Sequence, residues 1–264
     1  MKFDYLPELK QIIREAGQIV LNLYDSPTGI EKKSDGTLVS DADKNSSEFI
    51  KEQLQKYFPS HAILDEESSD TGNRFTNDYC WIIDPLDGTR EFLKRSEDFG
   101  IIIGLTYKHK PILGLAYKPV TDELFWAIQG EGAYKETKDA VEQLHVKETD
   151  DIELLISNSR SSPELEKIIQ DVTPTAIIRK GGSLKTIDIA TGNGTVFLCP
   201  ITSTMHLWDF CGPQIILEEA GGRMTNLYGE LIDYSAKETG NKKGIICSNR
   251  QIHQALLEEI KQQL

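Results

Sequence analysis

Between Tyr79 and Lys135 the chain consists of short apolar segments separated by turn residues. The first segment, YCWIID, is rich in aromatic and β-branched residues, and GIIIGLTYK, KPILGLAYKPV and ELFWAIQGEGAYK follow it. Segments of this length and composition are typical of β-strands, and the residues between them are typical of turns. The amino-terminal half is therefore predicted to be rich in strands.

Two helices are predicted before this region. Apolar residues recur at helical spacing from Leu6 to Tyr24, and the turn sequence DSPTG follows them. A second helix is predicted from about Ala42 to Tyr57, because Pro59 stops it.

A polar and charged stretch from Glu136 to Thr149 separates the strand-rich half from a half in which strands and helices alternate. In the second half, ELLISNSR and GTVFLCP indicate strands, whereas SPELEKIIQDV and WDFCGPQIILEEAGG indicate helices, the last one closed by glycines. We therefore expect two units, residues 1–140 and residues 141–264.

The composition excludes several classes of protein. The net charge of -13 argues against binding to nucleic acids or anionic membrane surfaces, which depends on clustered Lys and Arg. No segment approaches the ~20 apolar residues of a membrane span, so membrane insertion is not expected. The start of the chain lacks the apolar core of a signal peptide, and a cytoplasmic location is expected. The four cysteines are scattered without a C-x-x-C pair, which indicates buried reduced thiols.

Three acidic sites lie at the edges of apolar segments: ILDEES with Glu66 and Glu67, IIDPLDGT with Asp84 and Asp87, and LWDF with Asp209. Carboxylates at strand ends and helix starts can converge in one crevice, where their mutual repulsion requires protons or cations. Oxygen ligands without a nearby Cys or His favour Mg²⁺, Mn²⁺ or Ca²⁺ over zinc. The sequence therefore predicts a site for hard divalent cations, which would also let an acidic protein bind an anion.

The segment DPLDGT supplies several of the expected ligands. Pro85 cannot donate to a sheet ladder and is expected to end the strand, which leaves the Asp84 and Asp87 carboxylates and the Leu86 carbonyl free to coordinate. If TREFLKR begins a helix, the N–H groups of Gly88 and Thr89 lie at its positive end, where a phosphate oxygen binds well.

Each of these patterns has an ordinary structural explanation when it stands alone. A single D-x-x-D-G turn is usually a solvated loop, and Asp209, predicted at the N-cap of a helix before Pro213, is more often only a helix cap. The conjunction of the patterns favours a functional site.

The segments ILDEES, WIIDPLDGTREF and LWDFCGPQIILEEAGG resemble, in the same order, the signature sequences of the inositol monophosphatase superfamily. Within it, Leu86 and the basic-acidic-Phe continuation of DPLDGTREF are most similar to bacterial 3'(2'),5'-bisphosphate nucleotidases, and SNSR and GGSLK fit that branch. The resemblance implies an α/β fold, a layered α+β sandwich with the αβαβα architecture of the sugar phosphatases. It also implies two subdomains with the metal site in the cleft between them.

The resemblance also implies roles for individual residues. Two or three Mg²⁺ ions would be bound by Glu66, Asp84, the Leu86 carbonyl, Asp87 and Asp209. Asp43 in VSDAD would orient the attacking water together with Thr89, and Glu67 would assist through a further metal or its water. Substrate contacts are implied for Ser159, Gly182, Ser183 and Lys185, together with Glu66, Leu86, Asp87, Gly88, Thr89 and Asp209. For Lys185 the alternative is a solvated surface lysine.

The activity implied is a magnesium-dependent phosphomonoesterase, inhibited by lithium, that hydrolyses adenosine 3',5'-bisphosphate to AMP and phosphate. Two departures from the nucleotidases concern the substrate: Ser162 stands where they have His, and PITSTMHLWD lacks their Arg. The first alternative is therefore a phosphatase for inositol monophosphate, another sugar phosphate or histidinol phosphate. A nucleophilic aspartate of the haloacid-dehalogenase type requires an acid two residues later, whereas Asp84 and Asp87 are three apart. The alternative from another class is a noncatalytic nucleotide- or metal-binding module.

Overall fold

The computed structural model describes residues 4–33, 36–157, 162–181, 184–201 and 205–261. Within these ranges the helices are α1 (Leu6–Asn22), α2 (Asp41–Tyr57), α3 (Thr89–Leu93), α4 (Pro163–Val172), α5 (Lys185–Ala190), α6 (Leu207–Glu219) and α7 (His253–Lys261). The helices predicted from the sequence at α1, α2, α4 and α6 are confirmed to within a few residues. The described residues include no helix that is both long and apolar enough to cross a bilayer.

A seven-stranded sheet, here called the first sheet, contains the predicted strand-rich region. Its strands follow the chain order and are β3 (Ala62–Asp65), β4 (Tyr79–Asp87), β5 (Gly100–Tyr107), β6 (Lys110–Lys118), β7 (Glu123–Ile128), β8 (Gly132–Glu136) and β9 (Val141–Gln143). β3 and β4 are parallel, and every later pair is antiparallel. A link of twelve residues that includes α3 joins β4 to β5, and short turns join the later strands. A separate hairpin, β1 (Glu31–Lys32) and β2 (Leu38–Val39), precedes the sheet.

A five-stranded sheet, here called the second sheet, is built from the second half of the chain. Its spatial order is β11 (Ala176–Lys180), β10 (Glu153–Ser157), β12 (Val196–Cys199), β14 (Ile245–Ser248) and β13 (Arg223–Thr225). The strand predicted at ELLISNSR is described only as far as Ser157. β10 to β12 are parallel, as expected for strands joined through helices, and β14 is antiparallel to β12.

The elements stack in five layers, so the expected αβαβα architecture is confirmed. α1 and α2 pack on one face of the first sheet, and α5 and α6 lie between the two sheets. α4 and α7 cover the outer face of the second sheet. The outer helices α1, α2, α4 and α7 each bury one apolar stripe, whereas α5 and α6 are buried on most sides between the sheets. The four cysteines are buried free thiols, as predicted.

Contact between α6 and the first sheet depends on small residues. A Cβ on Gly212 of α6 would lie 2.9 Å from Ile102 Cγ2 and 3.0 Å from the Ile103 carbonyl oxygen. On the strands, a Cβ on Gly104 would lie 2.5 Å from Cys211 Sγ, and one on Gly114 would lie 2.3 Å from the Gly212 carbonyl oxygen. Side chains at these positions would push the helix away from the sheet. The glycines therefore set how closely α6 approaches β5 and β6.

The expectation that Pro85 ends a strand is wrong. β4 continues through Pro85 to Asp87, and the ladder to β5 is interrupted between the pairs Asp84–Ile102 and Asp87–Gly100. The interruption removes the need for a backbone N–H at the proline. The division at residue 140 stays a prediction: the first sheet continues to Gln143, and α6 returns to cover it.

Candidate metal centre

The interruption of the ladder between β4 and β5 leaves polar groups of the DPLDGT segment available for other hydrogen bonds. Asp84 Oδ1 accepts a hydrogen bond from the Leu86 N–H (3.1 Å), and the Pro85 carbonyl accepts one from Ser46 Oγ on α2 (2.9 Å). The Leu86 carbonyl lies 3.3 Å from Thr89 Oγ1. These bonds fix the backbone of the segment, and the first of them orients the carboxylate of Asp84.

Asp209 lies on α6, in the layer of helices between the two sheets, and approaches this segment from there. The prediction that it caps α6 is wrong: His206 is the N-cap, and Asp209 occupies the third helical position, where its Oδ2 accepts a hydrogen bond from the His206 N–H. The apolar pair Leu207 and Trp208 obscures this register in the sequence. The helix predicted over WDFCGPQIILEEAGG is nevertheless present, and Pro213 lies inside it.

Asp84, Asp87 and Asp209 form one cluster, in which a carboxylate oxygen of each residue lies within 4.8 Å of the others. Burial, followed by the negative charges of Glu66, Asp87 and Asp209, raises the pKa of Asp84 well above its ordinary value. A divalent cation would relieve this repulsion, because it binds to several carboxylates at once. The donor set contains only oxygen, and Asp84 and Asp87 are buried while Asp209 is partly exposed, so these residues fit a hard cation such as Mg²⁺.

Glu66 and Glu67 lie beside this cluster and share one cation, Lys33. Lys33 Nζ is 2.7 Å from Glu66 Oε1 and 2.7 Å from Glu67 Oε1, and Glu66 is close enough to Asp84 for a hydrogen bond between the two carboxyl groups. Burial lowers the pKa of Lys33, but both glutamates outweigh it and raise that pKa above its ordinary value. Burial raises the pKa of Glu67 to about 7, against the opposing hydrogen bond from Lys33.

Asp43 and Thr89 are paired as the resemblance implied. Thr89 Oγ1 donates to Asp43 Oδ1 at 2.8 Å, and Asp43 Oδ2 accepts from the Ser40 N–H (2.7 Å) and the Ser40 hydroxyl (2.6 Å). Burial raises the pKa of Asp43, and the hydrogen bonds from Ser40 and Thr89 oppose that rise. Both oxygens of Asp43 are therefore held at the start of α2, in a capping box.

Gly88 forms the corner between β4 and the short helix α3. Its φ is 87°, and a Cβ there would lie 2.9 Å from the Asp98 carbonyl oxygen, so only glycine fits. TREFLKR does begin a helix, but it is a single turn that ends at Leu93. The binding of phosphate by the Gly88 and Thr89 N–H groups stays a prediction.

The substrate residues expected in the second half are described only in part. Ser159, Gly182 and Ser183 lie outside the described residues. Lys185 is 3% exposed, with Nζ 3.4 Å from the Gly181 carbonyl oxygen and 5.3 Å from the centre of the Phe197 ring. The alternative of a solvated surface lysine is therefore wrong, and its contact with substrate stays a prediction. Ser162 caps α4 by accepting a hydrogen bond from the Leu165 N–H.

Sequence reasoning missed three residues that hold the site together: Ser40, Ser46 and Lys33. The pattern S-x-x-D at the start of α2 is close to a capping box and could have indicated Ser40. Ser46 and Lys33 contact residues more than 30 positions away, and no local pattern indicates such contacts.

The sequence of the chain matches a known protein family and several known proteins. The model of the inositol monophosphatase family matches residues 4–264. A 3'(2'),5'-bisphosphate nucleotidase CysQ from Buchnera aphidicola is 32% identical over 235 residues, 87% of this chain and 87% of that protein. An inositol-1-monophosphatase from Bacillus subtilis is 32% identical over 260 residues, 95% of this chain and 94% of that protein.

The fold is similar to that of a solved structure. The crystal structure of the extragenic suppressor protein SuhB from Bartonella henselae superposes with a TM-score of 0.81 at 26% identity, covering 96% of this chain and 97% of that one. The match of the family model along almost the whole length agrees with the layered architecture and the carboxylate cluster. This chain belongs to the inositol monophosphatase family, a family of phosphatases.

Proposed function

We propose that this chain is a Mg²⁺-dependent phosphomonoesterase, most favoured as a 3'(2'),5'-bisphosphate nucleotidase that converts adenosine 3',5'-bisphosphate to AMP and phosphate, and that it acts in the cytoplasm. The observation that carries the proposal is the cluster of Asp84, Asp87 and the half-buried Asp209 beside the Asp43–Thr89 pair. The cluster has the chemistry to bind a divalent cation, and the Asp43–Thr89 pair has the chemistry to orient the attacking water.

The chain's own residues divide the work of the reaction. Asp84, Asp87 and Asp209 would hold the metal, with Glu66 and the Leu86 carbonyl beside them. When bound, Mg²⁺ supplies positive charge that stabilises a phosphoryl group in displacement and lowers the pKa of a bound water. The number of carboxylates would suit two or three such ions, and Glu67 would assist through a further metal or its water.

Thr89 and Asp43 have the right chemistry to orient the nucleophile. The proton of Thr89 Oγ1 is directed to Asp43 Oδ1, since that contact is shorter (2.8 Å) than the one to the Leu86 carbonyl (3.3 Å). The Thr89 oxygen is then left as an acceptor for a proton of the attacking water. Transfer of the phosphoryl group directly to water needs no covalent phosphoenzyme.

The choice of substrate has a narrower basis. The nucleotidase reading rests on DPLDGTREF and GGSLK and on the similarity to the Buchnera enzyme. The similarity to the Bacillus inositol-1-monophosphatase is equal in identity. Ser162 acts as a helix cap, and Glu164 Oε1 accepts a hydrogen bond from the Ile201 N–H (3.1 Å), so the first turn of α4 adds no positive charge for a second phosphate. We therefore expect nucleotidase activity with weak binding of the substrate.

Release of phosphate from a panel of substrates tests both levels of the proposal. The panel contains adenosine 3',5'-bisphosphate, 2'-AMP, inositol 1-phosphate, fructose 1,6-bisphosphate and histidinol phosphate, each with Mg²⁺ and with excess EDTA. Activity that survives EDTA would contradict the metal mechanism, and a preference for inositol 1-phosphate would favour the other branch of the family. We also propose inhibition by lithium, measured in the same assay.

The variant Asp87→Asn tests the ligand role. Loss of one anionic ligand should remove about 3 kcal/mol of transition-state stabilisation, which is a fall in kcat/KM of roughly 100-fold. Asp139→Asn is the matched control, because Asp139 is an exposed turn residue remote from the cluster. A value for Asp87→Asn within about threefold of the wild type would refute the assignment.

A further inference from the structure

Asp65 is a buried carboxylate with no place in the proposed reaction. It ends β3, immediately before Glu66 and Glu67, and its side chain is 1% exposed. Among the described residues, its Oδ1 has no hydrogen-bond partner. Burial of a carboxylate costs free energy, and an imperfectly satisfied one is weak evidence for a role in stability. Its presence at this position therefore needs another explanation.

The other oxygen of Asp65 ties two elements together. Oδ2 accepts hydrogen bonds from Ser47 Oγ and Ser68 Oγ, each at 2.8 Å, and lies 3.1 Å from Lys51 Nζ. Lys51 Nζ also donates to Ser68 Oγ. Ser47 and Lys51 are four residues apart on α2 and so lie on one face of that helix. We call these four side chains, Ser47, Lys51, Asp65 and Ser68, the α2 latch.

The α2 latch joins two of the elements that carry polar groups of the site. Asp43 lies on α2, four residues before Ser47 of the latch. The turn that the latch closes carries Glu66 and Glu67. The turn is fixed on its other side by backbone bonds, from the Glu66 N–H to the Ile83 carbonyl (3.2 Å) and from the Ser68 N–H to the Asp65 carbonyl (3.3 Å). Lys33 of the hairpin also holds the two glutamate side chains, with Nζ 2.7 Å from each. The latch connects the turn directly to α2.

We propose that Asp65 is a positioning residue, which acts through the α2 latch to hold Glu66 and Glu67 in register with Asp43 and with the aspartate cluster. The inference rests on the proposed function in so far as it takes the cluster to bind a divalent cation. Residues that hydrogen-bond to metal ligands commonly contribute about 10–100-fold to metal affinity because they fix the direction of the ligand. Asp65 acts through the backbone of the turn, so we expect an effect at the lower end of that range.

Binding of Mn²⁺, measured as loss of the free-ion EPR signal, tests the inference without a need for turnover. We expect Asp65→Ala to raise the half-saturating concentration about tenfold and Ser47→Ala, which keeps the carboxylate, to raise it by a smaller factor. Asp65→Asn retains an acceptor oxygen for the serine hydroxyls and should recover part of the loss. Ser47→Ala also covers the case in which Asp65→Ala does not fold.

Ser248→Ala is the control for a purely structural effect. Ser248 Oγ lies 2.7 Å from His253 Nδ1 in the second sheet, so this variant also loses a buried hydrogen bond but at a distance from the acidic turn. It should lower the unfolding temperature and leave Mn²⁺ binding unchanged. Asp65→Ala and Ser47→Ala variants that lose stability while both bind Mn²⁺ within twofold of the wild type would overturn the proposal.

The same experiment separates this inference from the proposed function. A wild-type chain that binds Mn²⁺ but releases phosphate from none of the substrates would refute the activity, while the comparison of Asp65 variants would still decide the positioning role. A wild-type chain that binds no Mn²⁺ would refute both, because there would be no metal ligands to position.

Discussion

Replacement of Gly212 by alanine tests whether the close approach of α6 sets the geometry of the metal centre. The added Cβ would lie 2.9 Å from Ile102 Cγ2, 3.0 Å from the Ile103 carbonyl oxygen and 3.1 Å from the Leu115 carbonyl oxygen, whereas ordinary contacts begin at 3.4 Å. The shortfalls are 3.4 − 2.9 = 0.5 Å and 3.4 − 3.0 = 0.4 Å. Two of the three neighbours are backbone atoms, so α6 itself must move by a few tenths of an ångström.

The expected magnitudes follow from this displacement. Overpacking costs about 1–3 kcal/mol, and the better helix propensity of alanine returns about 1 kcal/mol, which leaves a net loss of about 1 kcal/mol in the free energy of unfolding. Asp209 is three residues before Gly212 and moves with the same turn of helix. Metal–ligand distances tolerate only about 0.2 Å, so we expect the half-saturating Mg²⁺ concentration for activity to rise about fivefold.

Gly17→Ala is the matched comparison, because Gly17 lies in α1 and packs against the opposite face of the same sheet. Its Cβ would lie 2.4 Å from Tyr117 Cε1, a buried side chain, so stability should fall here as well. Urea unfolding and Mg²⁺ titration of phosphate release would be measured for both variants. Equal Mg²⁺ requirements in the two variants would refute the reasoning, because of the two helices α1 and α6 only α6 carries a residue of the cluster.

Three further predictions concern charged or titratable side chains. Lys33→Met should lower the unfolding temperature without metal and increase the stabilisation by Mg²⁺, because Glu66 and Glu67 lose their shared cation; an unchanged thermal shift would contradict this. Burial lowers the pKa of His253 to about 4, so its contribution to stability is complete above pH ~6.5 and is lost as the pH falls towards 4, at about 1.4 kcal/mol per pH unit. Urea unfolding of the wild type and His253→Gln across that range should converge at low pH, and parallel curves would refute the assignment. Arg74 is 2% exposed and donates to one carboxylate and three backbone carbonyls, so Arg74→Lys, which cannot reach all four, should cost about 2–4 kcal/mol by urea unfolding, and a cost below about 0.5 kcal/mol would contradict this.

Local patterns in the sequence were sufficient for most helices and strands and for the identity of the acidic cluster, whereas the layered architecture was implied by the family resemblance. Helix α2 was expected from about Ala42 and begins at Asp41, and the strands from YCWIID onwards are where alternation and turns indicated. Asp84, Asp87 and Asp209 do come together, because strand ends and a helix start meet at one edge of the first sheet. These features depend on short-range periodicity and on the residues that form turns or end helices, and both can be recognised in a sequence.

The errors concern long-range contacts. Pro85 lies within β4 because the hydrogen-bond ladder between β4 and β5 is interrupted there. The sequence of β4 alone does not show where its pairing with β5 is interrupted. Lys185 is buried because α5 lies between two sheets, which a count of charged residues cannot indicate. Lys33 meets the acidic turn from a hairpin with two-residue strands, too short for any periodicity to show.

The position of α6 between the two sheets also determines when the metal centre can form during folding. Asp87 and Asp209 are 209 − 87 = 122 residues apart in the chain, and the helix that carries Asp209 must be synthesised and inserted before the cluster exists. Contacts of such long separation form late, after the loop between them has been closed at an entropic cost. A metal ion that binds only the completed cluster stabilises the native state but not earlier species. Mg²⁺ is therefore expected to slow unfolding while leaving the rate of folding almost unchanged.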